Sequence, residues 1–208
     1  AGYREYVRWQ NACISVEDIA DNIYVESPFA HPSVMVRRSV FDKLGGYADG
    51  EFPEDYDMWL RMHRVGYRMA KLEDVLLYWR DRPGRLSRVD RRYAREAFDR
   101  ERDEYLSVDG RLQGQRPVAM WGAGRRTRQR ARLLIDRGVV PVAWIDIDPR
   151  KIEHTVWGHP VQPPDWLAEC RPRPFVLVYV TRHGARDEVS QYLESVGYRR
   201  GRDYLAVG

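Results

Sequence analysis

Residues 53 to 61, Pro-Glu-Asp-Tyr-Asp-Met-Trp-Leu-Arg, place an acidic pair at the start of a short amphipathic helix. Asp55 is predicted to cap that helix, because a carboxylate can accept the unpaired N–H groups of a first turn. Gly66 is predicted to end it. Carboxylates held at a junction between loop and helix are suited to proton abstraction. The alternative interpretation of Glu54 and Asp55 is a plain N-cap with a solvated acidic neighbour.

A second group of residues has the chemistry of a phosphate-binding turn. Gly122-Ala123-Gly124 follows an apolar strand and precedes a helix, which is half of a dinucleotide fingerprint. Arg125 begins that helix, and Asp146 follows at the distance from which an acid can bind a ribose. Thr127 stands where the fingerprint requires a third glycine. We therefore expect weak nucleotide binding or none, and a tight strand-to-helix turn is the alternative.

The helix after the glycine turn is rich in arginine, with Arg125, Arg126, Arg128, Arg130 and Arg132. Positive charge near a helix N-terminus is unfavourable against the helix dipole. A bound phosphate would offset it, as would acidic residues of a neighbouring element, and a solvated face is a third interpretation. The whole chain has a net charge of only +4, with acidic residues interleaved among basic ones. Nucleic-acid binding requires a segregated basic face, so no nucleic-acid partner is expected.

Composition limits the class of protein. The 208 residues are enough for two compact units. No run of about eighteen apolar residues occurs, so we expect no membrane-spanning segment. Cys13 and Cys170 lie far apart in the sequence, which is typical of reduced thiols in the cytoplasm. The histidines have no ligand spacing with cysteines or acids, so no metal site is predicted in this chain.

Short elements are predicted around the acidic pair. Extended chain leads into a strand at residues 34–36, and Ser39 caps a brief helix. The apolar run at residues 75–77 is typical of a buried strand. Residues 90–106 are densely charged and have only a thin apolar stripe that includes Tyr93, which favours a solvated surface helix.

Strands and helices alternate in the second half of the chain, which predicts a small parallel α/β sheet. The predicted strands are residues 118–121, 140–147, 175–180 and 204–207. We expect one unit at residues 1–88, a charged helical linker at 89–114, and a Rossmann-like α/β domain at 115–208.

The motifs of the first unit form an ordered series. His31 to Arg38 and Phe41 to Tyr47 precede the acidic pair, and Gly66 to Arg68 and Val75 to Arg80 follow it. Over roughly residues 26 to 88 this series resembles the second, acceptor-side half of a family 2 glycosyltransferase, the inverting type with a GT-A fold. The resemblance implies an α/β fold class, with a partial GT-A domain followed by the Rossmann-like domain.

The resemblance also implies roles for the residues of the acidic helix. Asp55 matches the aspartate that acts as general base on the acceptor hydroxyl. Glu54 is expected to hold acceptor hydroxyls or the base, and His31 to line the cleft or serve as a structural histidine. Trp59 either offers an apolar face to a sugar ring or packs in the core.

The loop after the last predicted strand departs from the family pattern. The family often carries Arg-x-His there, whereas this chain has Arg80-Asp81-Arg82. The replacement of the histidine by Arg82 puts a metal contact from this loop in doubt. Arg80, Arg82 or Arg85 is instead expected to contact the diphosphate of a donor directly.

The family's donor-binding half, with its Asp-x-Asp metal motif, would precede residue 1. We therefore expect this chain to be part of a longer transferase that uses Mg²⁺ or Mn²⁺, with the main metal ligands outside this chain. Its expected partners are a nucleotide-sugar donor and a carbohydrate or lipid-linked acceptor, in the cytoplasm or at the inner membrane surface, in polysaccharide biosynthesis. The alternative is a non-catalytic binding or scaffolding module whose Rossmann-like domain docks a nucleotide or a protein.

Overall fold

The computed structural model describes residues 2–80, 82–180 and 184–208. The chain divides into two compact units, Ala1–Tyr105 and Leu106–Gly208. The division falls inside a helix that belongs to the segment predicted as a charged linker.

Unit one is built from helices joined by irregular segments. Its α-helices are α1 (Gly2–Ala12), α2 (Val16–Asn22), α3 (Arg38–Leu44), α4 (Glu54–Arg64), α5 (Leu86–Val89) and α6 (Arg95–Ser107). Short 3-10 helices lie at His31–Ser33 and Arg91–Tyr93. The core is centred on α4, where residues 56 to 60 are all buried. The Tyr56 hydroxyl donates a hydrogen bond to the Ile23 carbonyl at 2.6 Å, which fixes α4 against the segment after α2.

The start of α4 differs from the prediction. Pro53 occupies the N-cap position and makes no side-chain cap, and the helix begins at Glu54. Asp55 therefore lies within the first turn, where its Oδ1 accepts a hydrogen bond from the Tyr56 N–H at 2.7 Å. The prediction that Asp55 caps the helix was wrong by two positions. The prediction that Gly66 ends the helix is confirmed. Gly66 follows the last turn with a φ of +81°, a conformation that favours glycine.

The two strands predicted in unit one are not formed. The described residues of this unit contain no strand, Met35 is 99% exposed, and Leu76 is 74% exposed. The segment before residue 34 is a single 3-10 turn rather than extended chain, and α3 is preceded by Arg37 rather than capped by Ser39. An apolar run becomes a strand only when a neighbouring strand pairs with its backbone, and the described part of unit one offers none.

Helix α6 is more buried than its charge density predicts. Arg102 and Asp103 are almost fully buried, and Asp99 is also buried. Arg102 pairs with Asp99 at 2.6 Å and with Asp103 at 3.2 Å. The predicted solvated helix is therefore wrong here, because mutual pairing lets these charges leave water.

Unit two contains a six-stranded sheet of order β3-β4-β2-β1-β5-β6. The strands are β1 (Val118–Trp121), β2 (Ala143–Ile145), β3 (Thr155–Val156), β4 (His159–Gln162), β5 (Phe175–Val178) and β6 (Tyr204–Ala206). All pairings are parallel except β3 with β4. The α/β fold class and the parallel sheet are thus confirmed.

Helices α7 (Arg125–Asp136), α8 (Trp166–Glu169) and α9 (Ala185–Ser195) accompany the sheet. Apolar side chains of β1, β2, β5 and β6 form one buried cluster with residues of α8 and α9. The β3–β4 hairpin was not predicted, since its strands are short and partly exposed. Within the described ranges, no helix of either unit is long and apolar enough to cross a membrane.

Candidate active site

Asp55 lies in the first turn of α4 with its two carboxylate oxygens in different surroundings. Oδ1 accepts the Tyr56 N–H, and Oδ2 lies 3.9 Å from Nδ1 of His31. The second distance is beyond a direct hydrogen bond. The Asp55 side chain is only 14% exposed. One oxygen is therefore anchored to the backbone, and the other faces an imidazole without a strong bond to it.

Burial raises the pKa of Asp55 above its usual range, and the negative charge of neighbouring Glu54 adds to the rise. The Tyr56 N–H and His31 act in the opposite direction, because both favour the ionised carboxylate. The rise prevails. A carboxylate with a raised pKa binds a proton more tightly, so this environment makes Asp55 a stronger base than a solvated aspartate.

Glu54 is held by a residue that the sequence analysis did not assign to the site. The Tyr93 hydroxyl donates to the Glu54 carboxylate, with its oxygen 2.6 and 2.7 Å from the two carboxylate oxygens. Burial and this carboxylate raise the pKa of Tyr93. The residues are 39 positions apart, and no local pattern marks such a pair. The tertiary fold alone reveals Tyr93 as the partner of Glu54.

An aromatic cluster surrounds the His31 ring. The ring centroid of His31 lies 4.8 Å from that of Tyr47 and 6.4 Å from that of Trp59. Trp59 also packs edge-on against Phe29 at 5.5 Å. Trp59 is only 1% exposed, so it cannot present its face to a sugar ring and takes the core position instead. It acts as a rigid support behind His31.

Tyr47 packs on the His31 ring and belongs to the motif of residues 41 to 47, for which the sequence predicts no site role. Its side chain is partly buried, and burial together with the charges of Asp55 and Glu54 raises the pKa of its hydroxyl. The hydroxyl therefore stays protonated at neutral pH and can donate a hydrogen bond. The structure thus brings Asp55, Glu54, His31 and Tyr47 together from three different segments of unit one.

The predicted diphosphate contacts lie outside this cluster. Arg80 and Arg82 are both exposed, and within the described residues neither pairs with Asp55 or Glu54. Asp81 between them lies outside the described residues. Nearby, the Arg85 guanidinium stacks on the Trp79 ring at 3.7 Å. This basic loop therefore presents cations on the surface of unit one, with Arg80 and Arg82 open to a ligand.

The glycine turn of unit two is held by contacts within the unit. Gly122 has a φ of +110°, and a Cβ there would lie 3.0 Å from Cγ2 of Thr127. The positive φ favours glycine at residue 122, and a Cβ there would also force the Thr127 side chain to shift. Gly124 has an ordinary φ of −71° and open space around it, so it carries no such requirement.

Asp146 closes the same turn from the next strand. Its Oδ2 accepts the Ala123 N–H at 2.8 Å and lies 3.0 Å from Nζ of Lys151, and its Oδ1 accepts the Asp148 N–H at 2.9 Å. Both oxygens that would bind a ribose are already engaged. These contacts favour a structural turn over a dinucleotide site.

The arginine helix has partners of its own. Arg125 is exposed at the first position of α7. Arg132 pairs with Asp136 at 2.7 Å, and Arg130 donates to the Gly208 carbonyl at 2.8 Å. Acceptors inside unit two therefore account for part of the basic charge without a bound phosphate.

No metal centre is formed within the described ranges. They contain no group of three or more His, Cys, Asp or Glu side chains placed to hold an ion. Asp146 and Asp148, although spaced as Asp-x-Asp, instead bind Lys151 and Arg150. Among the residues that the structure describes, no self-contained cation site is formed.

Comparisons with known proteins give two partial matches. The chain is 33% identical over 84 residues to a protein of Haemophilus influenzae named "Uncharacterized glycosyltransferase", covering 40% of this chain and 31% of that protein. It is 34% identical over 64 residues to "Amylovoran biosynthesis glycosyltransferase AmsE" of Erwinia amylovora, covering 31% of this chain and 24% of that protein.

No family model and no solved structure matches the chain. The aligned region spans less than a third of each of these curated relatives, at 31% and 24% of their lengths. Over that region the chain is similar to parts of two proteins that are named as glycosyltransferases.

Proposed function

We propose that this chain forms the acceptor side of an inverting glycosyltransferase of family 2, with the GT-A fold, in which Asp55 is the general base. The observation that carries the proposal is the geometry of Asp55, which has one backbone-anchored oxygen and a raised pKa. The partial similarity to two glycosyltransferases supports it and does not favour a scaffolding module.

In the proposed reaction, Oδ2 of Asp55 takes the proton of an acceptor hydroxyl as the acceptor oxygen attacks the anomeric carbon of a nucleotide sugar. The bond between that carbon and the phosphate oxygen breaks, and its electron pair leaves with the nucleoside diphosphate. A single displacement inverts the anomeric centre. The single Tyr93 hydroxyl uses only part of the acceptor capacity of the Glu54 carboxylate, so Glu54 also accepts a second hydroxyl of a carbohydrate or lipid-linked acceptor and orients the nucleophile.

The donor side of the reaction belongs to the rest of the proposed protein. A divalent cation, Mg²⁺ or Mn²⁺, would neutralise the diphosphate, and its main ligands would lie outside this chain. Within this chain, Arg80 and Arg82 are proposed to approach the diphosphate from their exposed loop. We place the protein in the cytoplasm or at the inner membrane surface, where nucleotide sugars are available.

The test is Asp55→Asn in the full-length protein, assayed by nucleoside diphosphate release from a panel of UDP- and GDP-sugars with saccharide and lipid-linked acceptors. Turnover should fall by about 10²–10⁴-fold, the range for a positioned general base. Donor affinity should not change. The matched control is Asp42→Asn, which removes an exposed carboxylate paired with Arg38 on α3. Turnover in Asp55→Asn equal to wild type would remove Asp55 from the mechanism.

A further inference from the structure

Under the proposed function, the Asp55 carboxylate must lose the acceptor proton before the next turnover, and the imidazole of His31 faces that carboxylate. Nδ1 of His31 lies 3.9 Å from Oδ2 of Asp55. Proton transfer between such groups needs about 2.6–3.2 Å between heavy atoms or one bridging water, and distances in ligand-free sites are often longer. A side-chain rotation that shortens this distance by about 0.7 Å would bring the two atoms within hydrogen-bond reach.

The surroundings of His31 fix its ring and leave one side open to solvent. His31 is the first residue of the 3-10 turn His31–Ser33, and Pro32 follows it. The Ser33 hydroxyl donates to the Ala30 carbonyl at 2.7 Å and closes the turn. Tyr47 and Trp59 pack on the ring. The His31 side chain is nevertheless 36% exposed, whereas Asp55 is 14% exposed. His31 therefore lies between the buried carboxylate and water.

The other titratable groups that face Asp55 are poor proton acceptors. Burial raises the pKa of Tyr6 of α1, of Tyr47 and of Tyr93, so all three keep their protons at neutral pH. Glu54 accepts the Tyr93 hydroxyl on both oxygens. An imidazole can bind a proton on one ring nitrogen and release another from the second.

We propose that His31 is the proton relay of this site, a positioning residue that acts through Asp55. The inference rests on the proposed function of Asp55 as the base. The imidazole, with its proton on Nε2, accepts the proton from Oδ2 of Asp55 on Nδ1 and releases the Nε2 proton to water. Exchange with water then returns the remaining ring proton from Nδ1 to Nε2, so that Nδ1 can accept again in the next turnover. Asp55 returns to its ionised state, and no charge is left on the ring. Asp55 still deprotonates the acceptor as in the proposed function, and His31 then removes that proton from Asp55.

The experiment uses the full-length protein with the same donor panel and acceptors. His31→Gln keeps a polar group of similar reach but cannot carry a proton from one ring nitrogen to another. We expect kcat to fall by about tenfold or more, less than for loss of the base itself, with the KM for donor and acceptor unchanged. The matched control is His63→Gln on α4, whose ring packs edge-on against Tyr24.

A second variant separates a relay from a structural role. His31→Ala opens space beside Asp55, and added imidazole should restore turnover. Across a series of methylimidazoles, the restored rate should follow the basicity of the added compound, whereas mere filling of a cavity would follow its size. Melting temperatures of both variants close to wild type show that the fold is kept.

Each outcome separates the relay from the proposed function. Loss of turnover in both Asp55→Asn and His31→Gln, with rescue that follows basicity, supports the relay and the proposed role of Asp55. Loss in Asp55→Asn with wild-type turnover in His31→Gln, or rescue that follows size alone, overturns the relay and leaves the base in place. Wild-type turnover in Asp55→Asn, or no transfer with any donor, overturns the proposed function and the relay with it.

Discussion

At the scale of single residues, Glu54 and Asp55 are adjacent in sequence but differ in environment. Glu54 has both oxygens bound by one phenol, whereas Asp55 is anchored through one oxygen to a backbone N–H and faces an imidazole with the other. Two neighbouring carboxylates with different partners can perform different tasks. Under the proposed mechanism, the firmly held Glu54 orients an acceptor and the less constrained Asp55 exchanges a proton.

The hydrogen bond between Tyr93 and Glu54 can be tested in this chain alone. Tyr93→Phe removes the donor and leaves Glu54 without it, so the free energy of unfolding should fall by about 1 kcal/mol. Urea denaturation followed by circular dichroism measures the change. Tyr78→Phe is the control, because Tyr78 is 91% exposed and its hydroxyl is open to water. Equal stabilities for the two variants would show that the Tyr93 hydrogen bond contributes nothing.

Single residues also show how much of the site could be predicted from the sequence. The acidic pair is recognisable because both carboxylates and the helix that carries them are contiguous in sequence. His31 was named from the resemblance, but its distance from Asp55 depends on how the segment between them folds. Tyr93 was assigned to an apolar stripe, because a phenol in a charged segment gives no local signal of its partner. Contacts across 39 positions are tertiary information.

At the scale of elements, parallel strands were easier to predict than the irregular chain of unit one. The apolar run at residues 175–178 is a fully buried strand with a neighbour on each side, so its hydrophobicity and its burial agree. The run at residues 75–77 is equally apolar but exposed. Composition shows that a segment can be a strand, but pairing decides whether it becomes one.

The packing of α6 on α4 predicts a pH dependence of stability. Burial, Asp57 and Glu104 raise the pKa of Glu101 from 4.5 to about 7. The folded state therefore holds this proton more tightly than the unfolded state does. The stability from this group is fully present below pH 4.5 and is lost as the pH rises to about 7.

Glu101→Gln mimics the protonated side chain and removes this dependence. Its free energy of unfolding should match that of wild type near pH 4 and exceed it at pH 8, as measured by urea denaturation at both values. Glu96→Gln on the same helix is the control, because Glu96 is exposed and should give no pH-dependent difference. A Glu101→Gln variant that is less stable than wild type at pH 8 would contradict the assignment.

At the scale of the whole molecule, the sheet order explains why unit two should be stable by itself. All six strands and helices α7, α8 and α9 lie within residues 106–208, and their buried cluster is formed from the same segment. A contiguous chain with its own core has the properties of an independent domain. This stability does not require a ligand at the glycine turn, because Asp146 already accepts a hydrogen bond from the Ala123 N–H there.

Two fragments test this independence and the position of the domain start. Both 106–208 and 115–208 should unfold cooperatively in urea, because each keeps the sheet and the contacts of Arg116 with Asp203 and the Pro174 carbonyl. The longer fragment should be more stable by about 1 kcal/mol. It alone retains Arg111, which pairs with Asp109 at 2.7 Å and donates to the Gly201 carbonyl at 3.4 Å.

The variant Arg111→Ala in the longer fragment provides the matched control, since it should lower the stability to that of 115–208. Cooperative unfolding of both fragments with this difference would show that the polar segment before β1 belongs to the second domain rather than to a passive linker. A gradual loss of structure in 106–208, without a transition, would show instead that the sheet needs unit one to fold. The dependence of the unfolding free energy on urea concentration provides a further check. A cooperative domain of this size should give a slope of about 1–3 kcal/mol/M.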